Sequence, residues 1–446
     1  MKRALESVLM LIFMCAASLA AQGGGPLPKM SPSGAPMRLE EFEALALQHN
    51  PTLRQASDLV ERSAAEARQA GLYPNPTIGY EGSEIRGGSF GGGEQGAFIQ
   101  QNIVLGGKLG RRKEVFQDQQ REAEAASAEQ RRRVLSGVDE SFYAALSAQE
   151  VVKLRANLLK IAQDAVRTAH QLANVGQADT PDVLQAEVEA EQAQVDYATA
   201  QSNYTQAFEA LAATAGAPDL PVSPLEGQLA EWPRIDASQV MALILRDSPS
   251  VKRAQEAVTA AEAQVRSAKR ESVPDLRLRA GVQQDGEALD PTVVNSRAAG
   301  IVSFASVGID IPIFNRNQGN VAAARADLKR SREELARVRL VLRRNTAPLL
   351  QNYLAEENQA SQYRHEIIPK AARAYQLYLA KYRQMASAYP QVLVSQRTLF
   401  QLELAYARTL GRLWANAIAL RNFTLTGGLQ PPAAASGPPA ANLNLP

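Results

Sequence analysis

The residues that could do chemistry in this 446-residue chain are few and lie far apart in the sequence. The only cysteine is Cys15, and the three histidines are His49, His170 and His365. A protein metal site needs several converging ligands, and these histidines occur on separate predicted helices. The runs "GGGP" and "GGGEQG" lack the Gly-Lys-Ser/Thr ending of a phosphate-binding loop. The sequence therefore predicts no enzyme activity, no catalytic site, no metal site and no cofactor.

The charged residues are interpreted as solvated helix faces. Glu356 and Glu357 are adjacent acids, but they occur in a helical pattern among many other charges. The chain has 48 Lys and Arg against 46 Asp and Glu, a formal net charge of +2. Binding of nucleic acid needs a clustered excess of basic residues. We therefore expect no nucleic-acid partner.

The N-terminus, "MKRALESVLMLIFMCAASLAAQ", has the layout of an export signal. Basic Lys2 and Arg3 precede an apolar run, and small residues follow near Ala20. We expect a signal peptide at 1–21 and a mature chain that starts at Ala21 or Gln22. Met14 stands where a lipoprotein signal has a small residue, so Cys15 is expected to carry no lipid. No later stretch is long and apolar enough for a membrane-spanning helix, so any crossing would need strands.

The chain contains an internal repeat. "ALALQHNPTLRQ" from residue 44 lies 198 residues before "ALILRDSPSVKR", and further along the register becomes 209, where Pro181 faces Pro390. Such self-similarity is typical of a duplicated structural unit. We assign the copies to 38–216 and 237–426, with a linker at 217–236 that wraps the middle of the molecule. The Pro/Gly-rich flanks 22–37 and 427–446 are predicted to be a flexible linker and a disordered tail.

Each copy has the same order of predicted elements. Short helices come first, then two strands, a long helix, a tight turn and another helix. The long helices are predicted at about 111–175 and 319–384. Sixty-five residues at about 1.5 Å each give a helix of ~98 Å, longer than a compact domain. Pro348 and Pro369 each remove a helical hydrogen bond, so the second long helix is expected to kink at both.

Four strands are predicted at 77–86, 96–105, 275–284 and 300–313. Their length suits tilted strands that cross a bilayer. Four strands cannot close a barrel, and an open sheet edge cannot stand in lipid. Membrane-spanning strands would therefore have to be pooled by several chains. An ordinary four-stranded sheet at the end of a soluble helical rod explains the strand pattern equally well.

The duplicated strand-to-helix segments carry a family resemblance. "QQNIVLGGKLGRR" enters the first long helix, "IDIPIFNRNQGNVAAA" enters the second, and "VGQADTPDVLQAE" forms the first turn. The combination resembles the TolC-like outer-membrane efflux factors over residues 38–426. The Gly-Gly-Lys entry is most similar to the heavy-metal-resistance branch, the outer-membrane subunit of tripartite pumps.

The resemblance implies a mainly α fold with a membrane β-barrel portion. Long coiled-coil hairpins would form a trimeric helical barrel, and four strands per protomer would join a shared twelve-stranded outer-membrane barrel. The barrel of helices would lie in the periplasm of a Gram-negative-type envelope. The implied partners are two further copies of the chain, a periplasmic adaptor (membrane fusion) protein, an inner-membrane transporter and outer-membrane lipid.

The implied function is that of a passive exit duct for metal cations or drugs. A type I protein-secretion duct remains an alternative. A second alternative is a different class of protein: an exported coiled-coil adaptor or scaffold. Such a protein is built from the same long helices but does not span the membrane. The doubled strand pairs favour the channel, because an adaptor would carry a separate β-domain.

The turns far from the strands are the candidate periplasmic aperture and adaptor contact. In the family, acidic residues often narrow this mouth near the end of the last long helix, but 370–384 here contains no acid. Met385 also stands where the second turn often has glycine. The candidate residues are Gly176, Asp179, Thr180, Pro181, Asp182, Met385, Ala388, Tyr389 and Pro390.

The strand-to-helix junctions form a second candidate set. Two adjacent glycines would permit a sharp bend, since glycine adopts backbone angles that other residues avoid. Lys108, Arg111 and Arg112 are interpreted as a solvated basic collar, with contact to lipid head groups or a role in a lumen as the alternatives. The junction residues are Gly106, Gly107, Lys108, Gly110, Asn315, Gln318 and Gly319.

Overall fold

The computed structural model describes residues 35–83, 93–176, 179–285, 300–384 and 389–433. The predicted signal peptide and the first part of the predicted linker lie outside the described residues. The tip residues Met385 and Ala388 also lie outside them.

The first repeat consists of four helices and two strands in the predicted order. They are α1 (Leu39–His49), α2 (Pro51–Ala70), β1 (Thr77–Ser83), β2 (Glu94–Ile103), α3 (Lys108–Asn174) and α4 (Thr180–Thr214). The second repeat contains α5 (Val240–Asp247), α6 (Pro249–Arg270), β3 (Leu276–Asp285), β4 (Ile301–Ile309), α7 (Gln318–Gln362), a π-helical segment (Tyr363–Ile367), α8 (Ile368–Arg383) and α9 (Tyr389–Arg421).

Helix α3 is the scaffold of the molecule. Its 67 residues extend over about 100 Å, and it packs against α2, α4, α6 and α9. From the predicted seam, Val138, Phe142 and Ala145 are fully buried. No helix in the described part of the chain has an apolar stretch long enough to cross a membrane.

The second long helix differs from the prediction of one helix over 319–384. A π-helical segment at 363–367 separates α7 from α8, and Pro369 lies in the first turn of α8. Proline lacks the N–H that would continue the α-helical ladder, and π segments commonly accommodate such interruptions. The α-helix continues without interruption through Pro348. The α-helix is therefore interrupted next to Pro369 and continuous at Pro348, where the expected kink stays a prediction.

The strands form one antiparallel sheet in the order β1-β2-β3-β4. Ile78 pairs with Ile99, Ile99 with Ala280, and Ala280 with Ala305. Strands β2 and β3 come from different repeats, so the sheet joins the two copies. Strands β1 and β4 are its two edges.

The main core lies in the middle of the rod and draws on both repeats. Phe42 contacts Phe142 and Phe208 with ring centroids 6.0 Å apart in each case. The Tyr143 ring stacks on Trp414 with a centroid distance of 3.6 Å. These rings tie α1, α3, α4 and α9 together.

The segment 217–236 crosses this core. Gln149 on α3 donates from Nε2 to the Leu225 carbonyl at 2.9 Å and accepts the Leu225 N–H at 2.7 Å. The Trp414 Nε1–H donates to the Leu229 carbonyl at 2.9 Å. Buried Gln149 thus provides hydrogen-bond partners for both backbone polar groups of Leu225.

The C-terminal segment departs from the prediction of a disordered tail from 427 onward. Gly428 is buried, and its carbonyl accepts a hydrogen bond from the Asn50 Nδ2 at 3.4 Å. Gln130 Nε2 donates to the Gln430 carbonyl at 2.8 Å. The prediction is wrong for 427–430, because these backbone groups satisfy buried amides of α3 and of the α1–α2 junction. Residues 434–446 lie outside the described part.

Candidate functional site: strand-to-helix junctions and hairpin turns

The first junction turns β2 into α3 through two left-handed glycines. Gly106 has φ +70° and Gly107 has φ +68°. A Cβ at Gly106 would lie 2.7 Å from Cγ1 of Val273, whereas nothing lies within 4 Å of one at Gly107. Gly106 is therefore needed for two reasons: its backbone is left-handed, and a side chain there would collide with Val273.

Lys108 does not belong to a solvated collar. Its side chain is 5% exposed, and Nζ lies 2.7 Å from Oδ2 of Asp275. Asp275 Oδ1 also accepts the Leu105 N–H at 2.9 Å. The prediction for Lys108 is wrong because the residue that neutralises it, at the entry to β3, is 167 positions away in the sequence.

The two neighbouring arginines are partly exposed and paired. Arg112 donates from Nε and Nη2 to both carboxylate oxygens of Glu271, each at 2.9 Å. Arg111 and Arg266 both donate to Glu114, which lowers the pKa of that carboxyl. Ion pairs therefore tie the first junction to α6 of the second repeat.

The second junction uses asparagine where the first uses glycine. Asn317 precedes α7 with φ +60°, and its Nδ2 donates to the Ala268 carbonyl at 2.8 Å. Asn315 and Gln318 accept backbone N–H groups of the same bend at 3.1 and 2.8 Å. Gly110 and Gly319, both predicted junction residues, lie inside α3 and α7, and a Cβ at either would meet nothing within 4 Å.

The turn between α3 and α4, called the first tip, places its predicted residues together at the surface. Gly176 has φ +72°, and Gly176, Asp179, Thr180, Pro181 and Asp182 are all exposed. The Asp182 carboxylate accepts the Asp179 N–H at 3.4 Å. The two acids thus lie at the N-terminus of α4, where the helix dipole favours negative charge.

The first tip is supported by a small cluster of its own. Ala169, Val183 and Ala186 are buried between α3 and α4. Just outside it, Nε2 of His170 lies 3.1 Å from Oε1 of Glu187. The described residues include no group of three or more His, Cys, Asp or Glu side chains arranged to hold a metal ion.

The second tip connects α8 to α9 and is described only at its margins. Pro390 is exposed, while Val392 is buried; the Tyr389 side chain is outside the described part. Arg397 Nη2 on α9 lies 3.1 Å from Oε1 of Glu189 on α4. This ion pair joins the two hairpins near their tips.

The adjacent acids Glu356 and Glu357 are not solvated, contrary to the sequence interpretation. The Glu356 side chain is 13% exposed, and its oxygens accept from Arg412 at 3.0 Å and Asn416 at 2.7 Å. Glu357 accepts from Trp232 at 3.4 Å and Tyr353 at 3.3 Å. Both acids hold α7 to α9 and to the 217–236 segment.

The fold and the site define a class of protein. A rod about 100 Å long carries a sheet with two open edges at one end and exposed helical turns at the other. This is the layout of an elongated protein whose sheet and helical turns lie about 100 Å apart.

Comparison with known proteins supports that class. Residues 44–217 and 240–426 match the family model described as outer membrane efflux protein. The chain therefore belongs to the outer membrane efflux protein family, whose members are channels. It is an outer-membrane efflux channel with its helical part in the periplasm, the exit duct of a tripartite system.

Individual relatives extend the comparison. The cobalt-zinc-cadmium resistance protein CzcC of Cupriavidus metallidurans is 27% identical over 390 residues, covering 87% of this chain and 90% of the relative. Protein CyaE of Bordetella pertussis is 27% identical over 323 residues, covering 68% of this chain and 66% of the relative. Among solved structures, CusC superposes with a TM-score of 0.69 at 21% identity, covering 92% of this chain and 100% of the other. The Vibrio cholerae protein VceC gives 0.66 at 18% identity, covering 88% and 97%.

Three residues of the junctions were missed by the sequence analysis: Asp275, Glu271 and Asn317. Asn317 could have been found, because asparagine enters the left-handed region more readily than most residues. The two acids could not, since nothing local in the sequence pairs them with Lys108 or Arg112.

Proposed function

We propose that three copies of this chain assemble into the channel and that its cargo is divalent metal cations. The observation that carries the assembly is the sheet, whose edge strands β1 and β4 have no partner within the described chain. Lipid cannot satisfy the backbone groups of an open edge, so each β4 must pair with the β1 of a neighbouring copy. Three sheets then give twelve strands.

The cargo is proposed from the relatives. Two relatives carry metal-resistance names, CzcC for cobalt, zinc and cadmium, and the nickel-cobalt-cadmium resistance protein NccC of Alcaligenes xylosoxydans at 27% identity over 296 residues. The Gly-Gly-Lys junction of this chain agrees with that branch. A passive duct has no energy source of its own, so an inner-membrane transporter drives transport and a periplasmic adaptor bridges the two.

The adaptor is proposed to dock at the tips. The first tip exposes two carboxylates, and nearby α4 exposes the apolar side chains of Leu184 and Val188. The helix end there supports no large core, so exposed apolar groups beside charges suit a protein contact.

Deletion of the gene in its native host tests the cargo. We expect loss of growth at cobalt, zinc and cadmium concentrations that the parent tolerates, and restoration by the plasmid-borne gene. Drug susceptibility is measured in parallel. Unchanged metal tolerance with increased drug susceptibility would refute the metal assignment and identify drugs as cargo.

Assembly is tested on outer-membrane fractions by gel mobility with and without heating, combined with cross-linking. We expect a trimer that heat converts to monomers. Cross-linking that yields monomers alone, or a chain found only in the soluble periplasm, would refute the proposed assembly and favour the adaptor or scaffold class.

A further inference from the structure

The two faces of the sheet differ sharply in chemistry. Successive strand residues alternate between the faces, and strand pairing places all of the exposed large apolar strand residues except Val302 on one face. Apolar groups that face lipid and polar groups that face the interior are typical of membrane barrels. The apolar face carries Ile78, Tyr80, Ile99, Leu278, Val282, Ile301, Val307 and Ile309.

The opposite face, called the inner face, has a row of alternating glycine and phenylalanine across all four strands. Gly79 pairs with Phe98, Phe98 with Gly281, and Gly281 with Phe304. A Cβ at Gly79 would lie 2.5 Å from Cζ of Phe98, and one at Gly281 would lie 2.7 Å from Cε1 of Phe304. Each ring therefore occupies the space above a glycine of the neighbouring strand.

Arg279 is held on top of these rings. Its Cζ lies 4.1 Å from the Phe98 ring centroid and 5.5 Å from that of Phe304. The guanidinium forms an ion pair with Glu81 on β1. Two cation–π contacts and an ion pair fix an otherwise flexible side chain in one position.

The carboxylate is the more exposed partner in this pair. The Glu81 side chain is 51% exposed and the Arg279 side chain 29%. A second inner-face pair, Arg277 with Asp310 at 2.6 Å, has the same asymmetry, with 79% exposure for the acid and 52% for the arginine. In both pairs the carboxylate is more exposed to water than the guanidinium, and for Arg279 the guanidinium also lies on the two rings.

We propose that the Arg279–Glu81 pair, held on Phe98 and Phe304, lines the lumen of the assembled strands and presents a fixed carboxylate that favours cationic solutes. This inference rests on the proposed trimer, which turns the inner face toward the lumen. Three copies repeat the pair around the channel at one height. Arg279 positions the carboxylate, and Glu81 is the group that meets the cargo. The ion pair thus acts on metal cations as they leave through the lumen of the strands.

Thiol reagents of opposite charge measure the electrostatic field that the Arg279–Glu81 pair produces at the inner face. Ser306 is the cross-strand neighbour of Arg279 on the inner face, and Ser303 pairs with Val282 on the apolar face of the same strand. Each is changed to cysteine separately; the only native cysteine, Cys15, lies in the segment predicted to be removed as a signal peptide. Purified trimers in lipid are treated at low salt with a cationic and an anionic methanethiosulfonate.

We expect Ser306→Cys to react and Ser303→Cys to stay protected. Adding Glu81→Gln should lower the cationic-to-anionic rate ratio at Ser306→Cys by about fivefold, the order of magnitude expected when one nearby unit charge is removed in a water-like dielectric. Arg279→Gln should raise the ratio by a similar factor, and in the double variant the ratio should fall below that of the parent, because this variant loses the more exposed carboxylate together with the guanidinium. Glu226→Gln, which breaks the exposed Arg38–Glu226 pair outside the sheet, should leave it unchanged.

The outcomes separate this inference from the proposed function. An unchanged ratio in Glu81→Gln, with trimers intact on gels, would overturn the inference and leave the channel standing. Unreactive Ser306→Cys in intact trimers would overturn it as well. Equal reactivity of the two cysteines would refute both, because the strands would then not be embedded in lipid.

Discussion

At the scale of single residues, the junction around Lys108 depends on one carboxylate. A nearly buried ammonium loses its hydration, and Asp275 offsets that cost through an ion pair and a backbone hydrogen bond. The Asp275 side chain is 39% exposed, so water moderates the interaction.

Asp275→Asn should destabilise the trimer by about 1–3 kcal/mol, since it leaves Lys108 charged, buried and unpaired. Lys108→Met should cost less, because the remaining carboxylate reaches water. The double variant should be more stable than Asp275→Asn alone. Trimer melting on gels measures this, with Arg38→Met in an exposed pair as a control expected to cost below about 1 kcal/mol. Equal effects for the buried and the exposed pair would contradict the account.

Asp139 on α3 gives the molecule a dependence on pH. Burial raises the pKa of Asp139 to about 7, aided by the charge of Glu43 and a hydrogen bond with it. The hydrogen bond that Asn422 donates to Asp139 at 3.2 Å and the charge of Arg421 both act to lower this pKa. An acid with a raised folded-state pKa holds its proton more tightly in the folded chain, so the contribution of Asp139 to stability is largest at low pH.

Trimer stability should therefore fall as pH rises from about 4 to about 7, by at most about 1.4 kcal/mol per pH unit, and level off above that range. Asp139→Asn should remove this slope and melt at a higher temperature than the parent protein at pH 8. Melting temperatures across the pH range test this, with Asp58→Asn at an exposed position of α2 as the control. An unchanged slope in Asp139→Asn would assign the pH dependence to other groups.

At the scale of elements, the β2-to-α3 bend distinguishes two predicted junction glycines. Gly106→Ala should destabilise by about 1–2 kcal/mol or more, from its left-handed backbone and the contact with Val273. Gly110→Ala should be neutral or stabilise by about 0.5–1 kcal/mol, because Gly110 lies inside a helix with space around it. Trimer melting temperatures compare the two variants. Similar losses of stability would show that the bend does not depend on the glycine conformation.

The hairpin tips carry the prediction for docking. Asp179→Lys with Asp182→Lys should weaken adaptor binding by about tenfold, a loss of about 1.4 kcal/mol, and lower metal resistance while leaving trimers intact. Asp58→Lys with Glu61→Lys reverses two exposed acids at the same spacing on α2 and serves as the matched control. Pull-down and resistance assays measure both.

A further variant separates charge from helix capping. Asp179→Asn with Asp182→Asn keeps side chains that cap helices well but removes both charges. If the docking depends on charge, this variant should weaken adaptor binding too. Normal docking in both double variants would leave the acids with a capping role only.

At the scale of the whole molecule, assembly in lipid depends on which face of the sheet is apolar. Val307 is 70% exposed on the apolar face, and its neighbour Ser306 lies on the inner face. Val307→Lys should block trimer formation, at a cost of about 2–4 kcal/mol in each chain. Ser306→Lys should assemble normally. Gel mobility of outer-membrane fractions decides, and equal assembly of the two variants would refute a lipid-facing sheet.

The family resemblance indicated the class of protein, and the sequence by itself determined the repeat and the order of helices and strands. These follow from local patterns: Pro51 and Pro249 begin α2 and α6, alternation marks the strands, and Gly106-Gly107 marks the bend. The same local patterns place the first-tip residues in one exposed turn.

Only the tertiary structure decided which charges are buried and what they meet. Lys108 and Glu356 look like solvated helix residues, yet Asp275 and Arg412 hold them at contacts between distant segments. The Phe98–Arg279–Phe304 stack arises because strand pairing sets rings beside glycines from other strands. Periodicity reports which side of its own element a residue occupies, but the partner across the contact depends on how the two repeats pack together.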